Sequence, residues 1–192
     1  TTGGMIGTAS FSHEVLIAEP APVYLSGTSS VVEYVEIDKN EIDIAVGGYE
    51  GVIANLEVVF GGGDALLTDV SFSLQPRIDG AVSGAVPWDV FDDIVLILED
   101  EDSRAYLDVP LDSEDDFMGT STGLVSVSGI NMPVEEHEDF HMDFDLYVHE
   151  DAIEGGVGDW QIVLESLTYV DGSGTTTVFA FEESLETYFS VV

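Results

Sequence analysis

Along most of this chain apolar and polar residues alternate with a period of two, and the 3.6-residue period of an amphipathic helix is scarce. The clearest run is 140–148. Phe140, Met142, Phe144, Leu146 and Val148 fall on one face, and His141, Asp143, Asp145 and Tyr147 on the other. Such alternation predicts a strand with one buried and one wetted side. Residues 104–111 repeat it with Ala105, Leu107, Val109 and Leu111 inward, and 66–74 with Val70, Phe72 and Leu74 against Asp69, Ser71 and Ser73. Further strands are expected over 14–18, 31–38, 41–46, 52–60, 94–99, 124–127, 160–170, 175–181 and 187–192, where β-branched and aromatic residues are dense.

Turn chemistry separates these runs. Asp171-Gly172-Ser173-Gly174 is a strong hairpin signal. Lys39-Asn40 is expected to fold 31–38 back onto 41–46, and Gly61-Gly62-Gly63-Asp64 divides two further runs. Helix signals are few. Pro87 opens a short turn over 87–92, and 134–139 and 184–187 are weaker candidates. Heptads, longer repeats and Pro-rich linkers are missing from the sequence. About a dozen short strands with frequent turns predict an all-β fold, a two-sheet antiparallel sandwich, most simply a single jelly roll with extra edge strands. One domain spans 1–192, with 1–13 as an extended N-terminal arm.

Charge changes the picture most. The 192 residues carry 39 Asp+Glu against 3 Lys+Arg, a formal net charge of -36, yet 45% of the chain is hydrophobic. Its mean hydropathy is +0.21. Disordered acidic chains combine high charge with low hydrophobicity; this chain has apolar residues enough for a core inside an anionic shell. In dilute buffer such a shell repels itself. In molar salt the Debye length falls to about 3 Å and the repulsion is screened. The composition therefore predicts a folded protein of very high salt, as in an extreme halophile.

Only Lys39, Arg77 and Arg104 could meet phosphates, which argues against direct nucleic-acid binding and against an anionic lipid surface unless cations bridge the two. With no cysteine, disulfides and thiolate metal sites are excluded. No window reaches the length of a membrane helix. The start, Thr1 to Ile6, has neither the basic nor the apolar region of an intact signal peptide.

His137-Glu138-Asp139-Phe140-His141 matches the H-E-x-x-H signature of zinc proteases. That chemistry needs a helix, so that two His a turn apart share a face and ligate zinc beside the Glu base. Here the second His opens the best strand pattern in the chain, so the match reads as accidental. A different metal set is more plausible on a strand: His141, Asp143, Asp145 and His149 would point the same way, and their imidazole and carboxylate mixture suits Zn, Mn or Ni. The competing reading is an acidic, solvated strand face. The Asp/Glu loops at 99–102 and 114–116 lack EF-hand spacing. No G-x-S-x-G or phosphate-loop motif occurs. Trp160 lies in an alternating strand and is expected in the core; Trp88, beside Pro87, could instead stack on a sugar.

Size, extreme acidity and β-alternation from Glu14 to Val192 make the chain resemble the smaller major capsid protein of icosahedral, internal-membrane viruses of halophilic archaea, whose capsomers are upright single jelly rolls. The resemblance is of whole-chain properties, so no functional residues carry over. It implies a non-enzymatic virion subunit with no cofactor and no small-molecule substrate. Its partners would be copies of itself and a sibling capsid protein over a membrane, with divalent cations able to bridge carboxylates. The alternative is an extracellular carbohydrate- or polymer-binding β-sandwich module, using Trp88 or tyrosines as platforms.

Overall fold

The computed structural model describes residues 25–39, 42–77, 86–100, 104–118, 123–150, 152 and 158–192. Ten strands carry the fold: β1 (Gly27–Lys39), β2 (Ile42–Ile44), β3 (Tyr49–Gly63), β4 (Ala65–Pro76), β5 (Phe91–Glu99), β6 (Arg104–Pro110), β7 (Leu124–Val134), β8 (Asp139–Val148), β9 (Gly158–Asp171) and β10 (Thr176–Val191). They form two five-stranded sheets, β1-β3-β8-β5-β6 and β2-β10-β9-β4-β7. The expected arm over 1–13 and strand over 14–18 lie outside the described residues.

The chain passes back and forth between the sheets, and its pairs are nested: β5 with β6, β4 with β7, β3 with β8. This is jelly-roll connectivity, one long antiparallel ribbon rolled into two layers. The pair that would complete the nest, β2 with β9, is separated by β10, which lies between them. β9 and β10 are antiparallel, so β2 meets β10 in parallel.

The alternating residues meet between the layers. Phe72 of β4 packs edge-on against Phe144 of β8 at 5.5 Å, Trp160 of β9 against Phe91 of β5 at 4.8 Å, and Tyr169 of β9 against Phe60 of β3 at 4.9 Å. Each pair joins one sheet to the other. Burying such a side chain contributes roughly 1.5–3 kcal/mol, and edge-to-face ring geometry adds about 0.5–1.5 kcal/mol. Trp160 is fully buried, as its place in the alternation predicts.

Several expectations are corrected. Segments 31–38 and 41–46 do not pair as a hairpin: β1 joins β3 in one sheet and β2 joins β10 in the other. Segments 175–181 and 187–192 belong to one strand, β10, which also runs through the helix candidate at 184–187. Residues 135–138 turn between β7 and β8 without forming a helix. At 87–92 the helix shrinks to a single 3-10 turn, Pro87–Asp89. The glycine run ends β3 and steers the crossing to β4. Gly62 sits at φ 80°, and a Cβ there would lie 2.5 Å from the Ser29 carbonyl oxygen. Asp64, at the crossing, accepts from the amides of Ser26 (2.6 Å) and Glu136 (3.1 Å). Partial burial pushes its carboxyl pKa up, but these amides prevail and hold it below the usual range.

Candidate functional site

His137 adopts a left-handed turn conformation at φ 67°, and its amide donates to the Phe60 carbonyl. His141 lies two residues inside β8. The H-E-x-x-H residues thus run from a turn into a strand, and the helical geometry that zinc proteases need is not formed.

The strand pattern does put His141, Asp143 and Asp145 on the outer side of β8, but each is engaged separately. His141 stands in register between Glu57 of β3 and Glu99 of β5. Asp143 accepts from the side-chain Nδ2 of Asn55. Asp145 is only 6% exposed. It accepts from the Tyr49 hydroxyl at 2.7 Å and from the Val52 amide at 2.5 Å. Val52 sits at φ 57° inside a bulge of β3, between the paired positions Glu50 and Ala54. A bulge leaves one backbone donor without a ladder partner, and Asp145 takes it. Tyr49 then stacks on Tyr147 at 4.3 Å, above the carboxylate's strand. His149, past the end of β8, pairs its Nδ1 with Asp92 at the start of β5. Among the described residues, no three His, Asp or Glu side chains are placed to hold a metal ion.

Two hollows carry polar groups. One, of about 440 Å³, is lined by Asp92, Asp93, Asp108, Pro110 and Asp112. Burial, and then the charges of Asp108, Asp92 and Asp112, push the Asp93 pKa up. Its Oδ1 is buried without a hydrogen-bond partner among the described residues. The other hollow, of about 360 Å³, lies beside β2 and β10 and is lined by Ile42, Asp43, Arg77, Asp159, Tyr188, Phe189 and Ser190. The Arg77 guanidinium lies over the Tyr188 ring at 4.2 Å. Sequence reading passed over this pair, because the two residues are distant in sequence and no motif marks them. Trp88 is no open platform: it is half-buried and packs on Phe117 at 5.5 Å.

The larger feature is a contrast between the two outer faces. Across the first sheet, one row reads Glu36, Glu57, His141, Glu99, Arg104, and the next Asp38, Asn55, Asp143, Ile97, Tyr106. Across the second sheet, one row reads Ser126, Ser71, Ser166, Ala180. Its neighbours are Ser128, Asp69, Thr168, Val178 and Pro133, Leu66, Val170, Thr176. Asp69 is the only charged residue in those three rows, and it accepts the hydroxyl of Thr68. These three rows of the second sheet are thus mostly small and neutral, and carboxylates return beyond them at Glu165, Glu186 and Asp159.

No protein-family profile and no curated protein match the chain by sequence. Among solved structures, it is similar to a family 123 glycoside hydrolase from Clostridium perfringens, at 10% identity and a TM-score of 0.38, over 88% of this chain and 27% of that one. It thus spans about a quarter of that enzyme's length. It is also similar to AvmM, which catalyses macrocyclization in alchivemycin A biosynthesis, at 11% identity and a TM-score of 0.43, over 89% of this chain and 96% of that one. A third is ACE19, the collagen-binding subdomain of the Enterococcus faecalis surface protein ACE, at 8% identity and a TM-score of 0.30, over 90% of this chain and 99% of that one. At these scores none of the three transfers a function to this chain.

Proposed function

We propose that this chain is a structural subunit of a virus shell, built to pack beside copies of itself and a sibling protein over a membrane in molar salt. The observation that carries this reading is the nested pairing of β3 with β8, β4 with β7 and β5 with β6. Viral capsids use the jelly roll recurrently. The net charge of -36 supports a high-salt setting. The role requires no catalysis. Divalent cations would enter only as bridges between carboxylates of neighbouring subunits. The test is sedimentation and negative-stain imaging in about 3 M salt, with and without magnesium or calcium, chosen so that screening is complete. Rings, sheets or shells of the purified chain, alone or with a co-expressed sibling, are the expected result. Particles never larger than a dimer under any of these conditions would sink the reading.

A second reading, a sugar- or polymer-binding module, is favoured by the hollow at Arg77 and Tyr188, where a guanidinium, two carboxylates and two hydroxyls line one concavity. It predicts saturable binding on a glycan panel that Arg77→Ala and Tyr188→Ala each weaken at least about tenfold, a loss of about 1.4 kcal/mol.

A further inference from the structure

We propose that the hollow at Arg77 and Tyr188 binds a neutral saccharide, held edge-on by its hydroxyls rather than stacked on the tyrosine. The inference deepens the binding-module reading and rests on it. Three adjacent strands build the floor. Ser190 of β10 stands in register with Asp43 of β2 on one side and Asp159 of β9 on the other. The Ser190 hydroxyl donates to one oxygen of Asp159 at 2.7 Å, which draws that carboxylate toward β10. Just past β4, the Arg77 amide donates to the Asp159 carbonyl at 2.9 Å, and the guanidinium folds back over the Tyr188 ring. In a chain with 39 acids and 3 bases, a paired arginine is the expectation, and Arg104 does pair with Glu99. Yet among the described residues no carboxylate lies within ion-pair distance of Arg77, although two line its hollow.

The donor and acceptor inventory selects the ligand. A guanidinium only donates hydrogen bonds and an ionised carboxylate only accepts them, whereas a hydroxyl does both. A ligand with several adjacent hydroxyls can therefore accept from Arg77 and donate to Asp43 and Asp159 at once. A carboxylate on the ligand would suit Arg77 but press against both aspartates, and an ammonium would suit the aspartates but press against Arg77. In molar salt exposed charge pairs are largely screened, so net charge on a ligand adds little and its pattern of hydroxyls must supply the affinity. Tyr188 is already engaged: Arg77 covers one ring face at 4.2 Å, and the hydroxyl donates to Glu186. The tyrosine thus holds the guanidinium in place, and the covered face is closed to a sugar ring. The volume of about 360 Å³ is at the small end of small-molecule sites, about 300–1,000 Å³, which suits one sugar unit, free or within a chain.

The test is calorimetric titration of the whole chain in about 1 M and about 3 M salt, where long-range charge is screened. The probes are methyl glycosides of neutral hexoses, each beside its uronate and its amino-sugar counterpart. A neutral hexoside should bind at least about tenfold more tightly than both charged counterparts, and equally well at the two salt concentrations. At least one of its monodeoxy analogues should bind about tenfold more weakly to the unaltered protein, a comparison that needs no variant to fold. Arg77→Lys keeps the charge but loses the planar fork, and it and Asp159→Asn should each weaken binding at least about tenfold. Stacking on Tyr188 would instead make Arg77→Ala, which uncovers the ring, bind more tightly, and that result overturns the inference. A uronate or amino sugar that binds as tightly as its neutral parent overturns it too, but leaves the binding-module reading standing. Binding of no saccharide in the set at about 10 mM, or binding that Arg77→Lys and Asp159→Asn leave unchanged, would end both.

Discussion

Two aspartates show how single carboxylates can set opposite pH dependences in one fold. Asp171 accepts from the Ser173 amide and hydroxyl and from the Thr175 amide, at 2.9, 2.6 and 2.9 Å. Those donors, the Ser173 side chain first, hold its pKa below the usual range. The ionised form is favoured by folding, so its contribution is present above the unfolded pKa and is lost as pH falls through the lower folded value. Asp93 is the reverse. Burial, and then the neighbouring aspartates, raise its pKa. The folded state holds its proton longer than the unfolded chain does. Stability is therefore lost as pH rises from the ordinary carboxylate range through the raised value. Thermal melts from about pH 3 to pH 7 should show that Asp93→Asn gains on the wild type as pH rises, whereas Asp171→Asn falls further behind it. The same sign for both would show that these environments do not govern the titrations. Asp145 works through a hydrogen bond. Asp145→Ala strands the Val52 amide and removes the Tyr49 contact, and should cost about 1–3 kcal/mol in urea unfolding. If the loss were within error of zero, the bulge would not depend on this carboxylate.

The strands themselves were largely legible, because a half-buried strand writes its period of two into the sequence wherever it lies. The β9–β10 hairpin was legible too: Asp171 to Gly174 build the turn from their own side chains and amides. The partners of β1 and β2 were not. A turn that folds a strand back within a sheet and one that carries the chain across to the other sheet draw on the same residues, and the choice is made by distant packing. The bond between Asp145 and Val52 spans 93 residues, so period alone showed a wetted aspartate where the fold has buried one. The metal set failed to gather for the same reason: bulge, cross-strand amide and strand-end partner each claim one member. At this scale Trp160 is the test. It is fully buried and bridges β9 to Phe91 of the opposite sheet. Trp160→Ala should cost about 3–5 kcal/mol and Trp160→Phe much less. Equal losses would mean that the contact with Phe91 matters less than shape at that site.

For the whole molecule the governing quantity is where the charge lies. Like charges facing each other across paired strands destabilise a sheet by about 0.2–1 kcal/mol each, and Glu36 with Glu57 is one such pair in the acidic rows. That pair and, far more, the net charge of -36 oppose folding in dilute buffer. Two mechanisms would let salt relieve this, and they differ in shape. Screening is mostly complete by about 1 M, where the Debye length is about 3 Å. Strengthened apolar burial continues to grow with concentration and is far greater for sulfate than for chloride. If screening dominates, the melting temperature should climb steeply from about 0.1 to 1 M sodium chloride and then level off, and sodium sulfate at matched ionic strength should trace the same rise. Glu57→Gln supplies the local check. Near pH 8 it should stabilise the protein by about 0.5 kcal/mol in about 0.1 M salt, and the gain should vanish by about 3 M. A melting curve that keeps rising past 2 M in chloride, with Glu57→Gln no better than wild type in dilute buffer, would mean that the core needs salt more than the shell does.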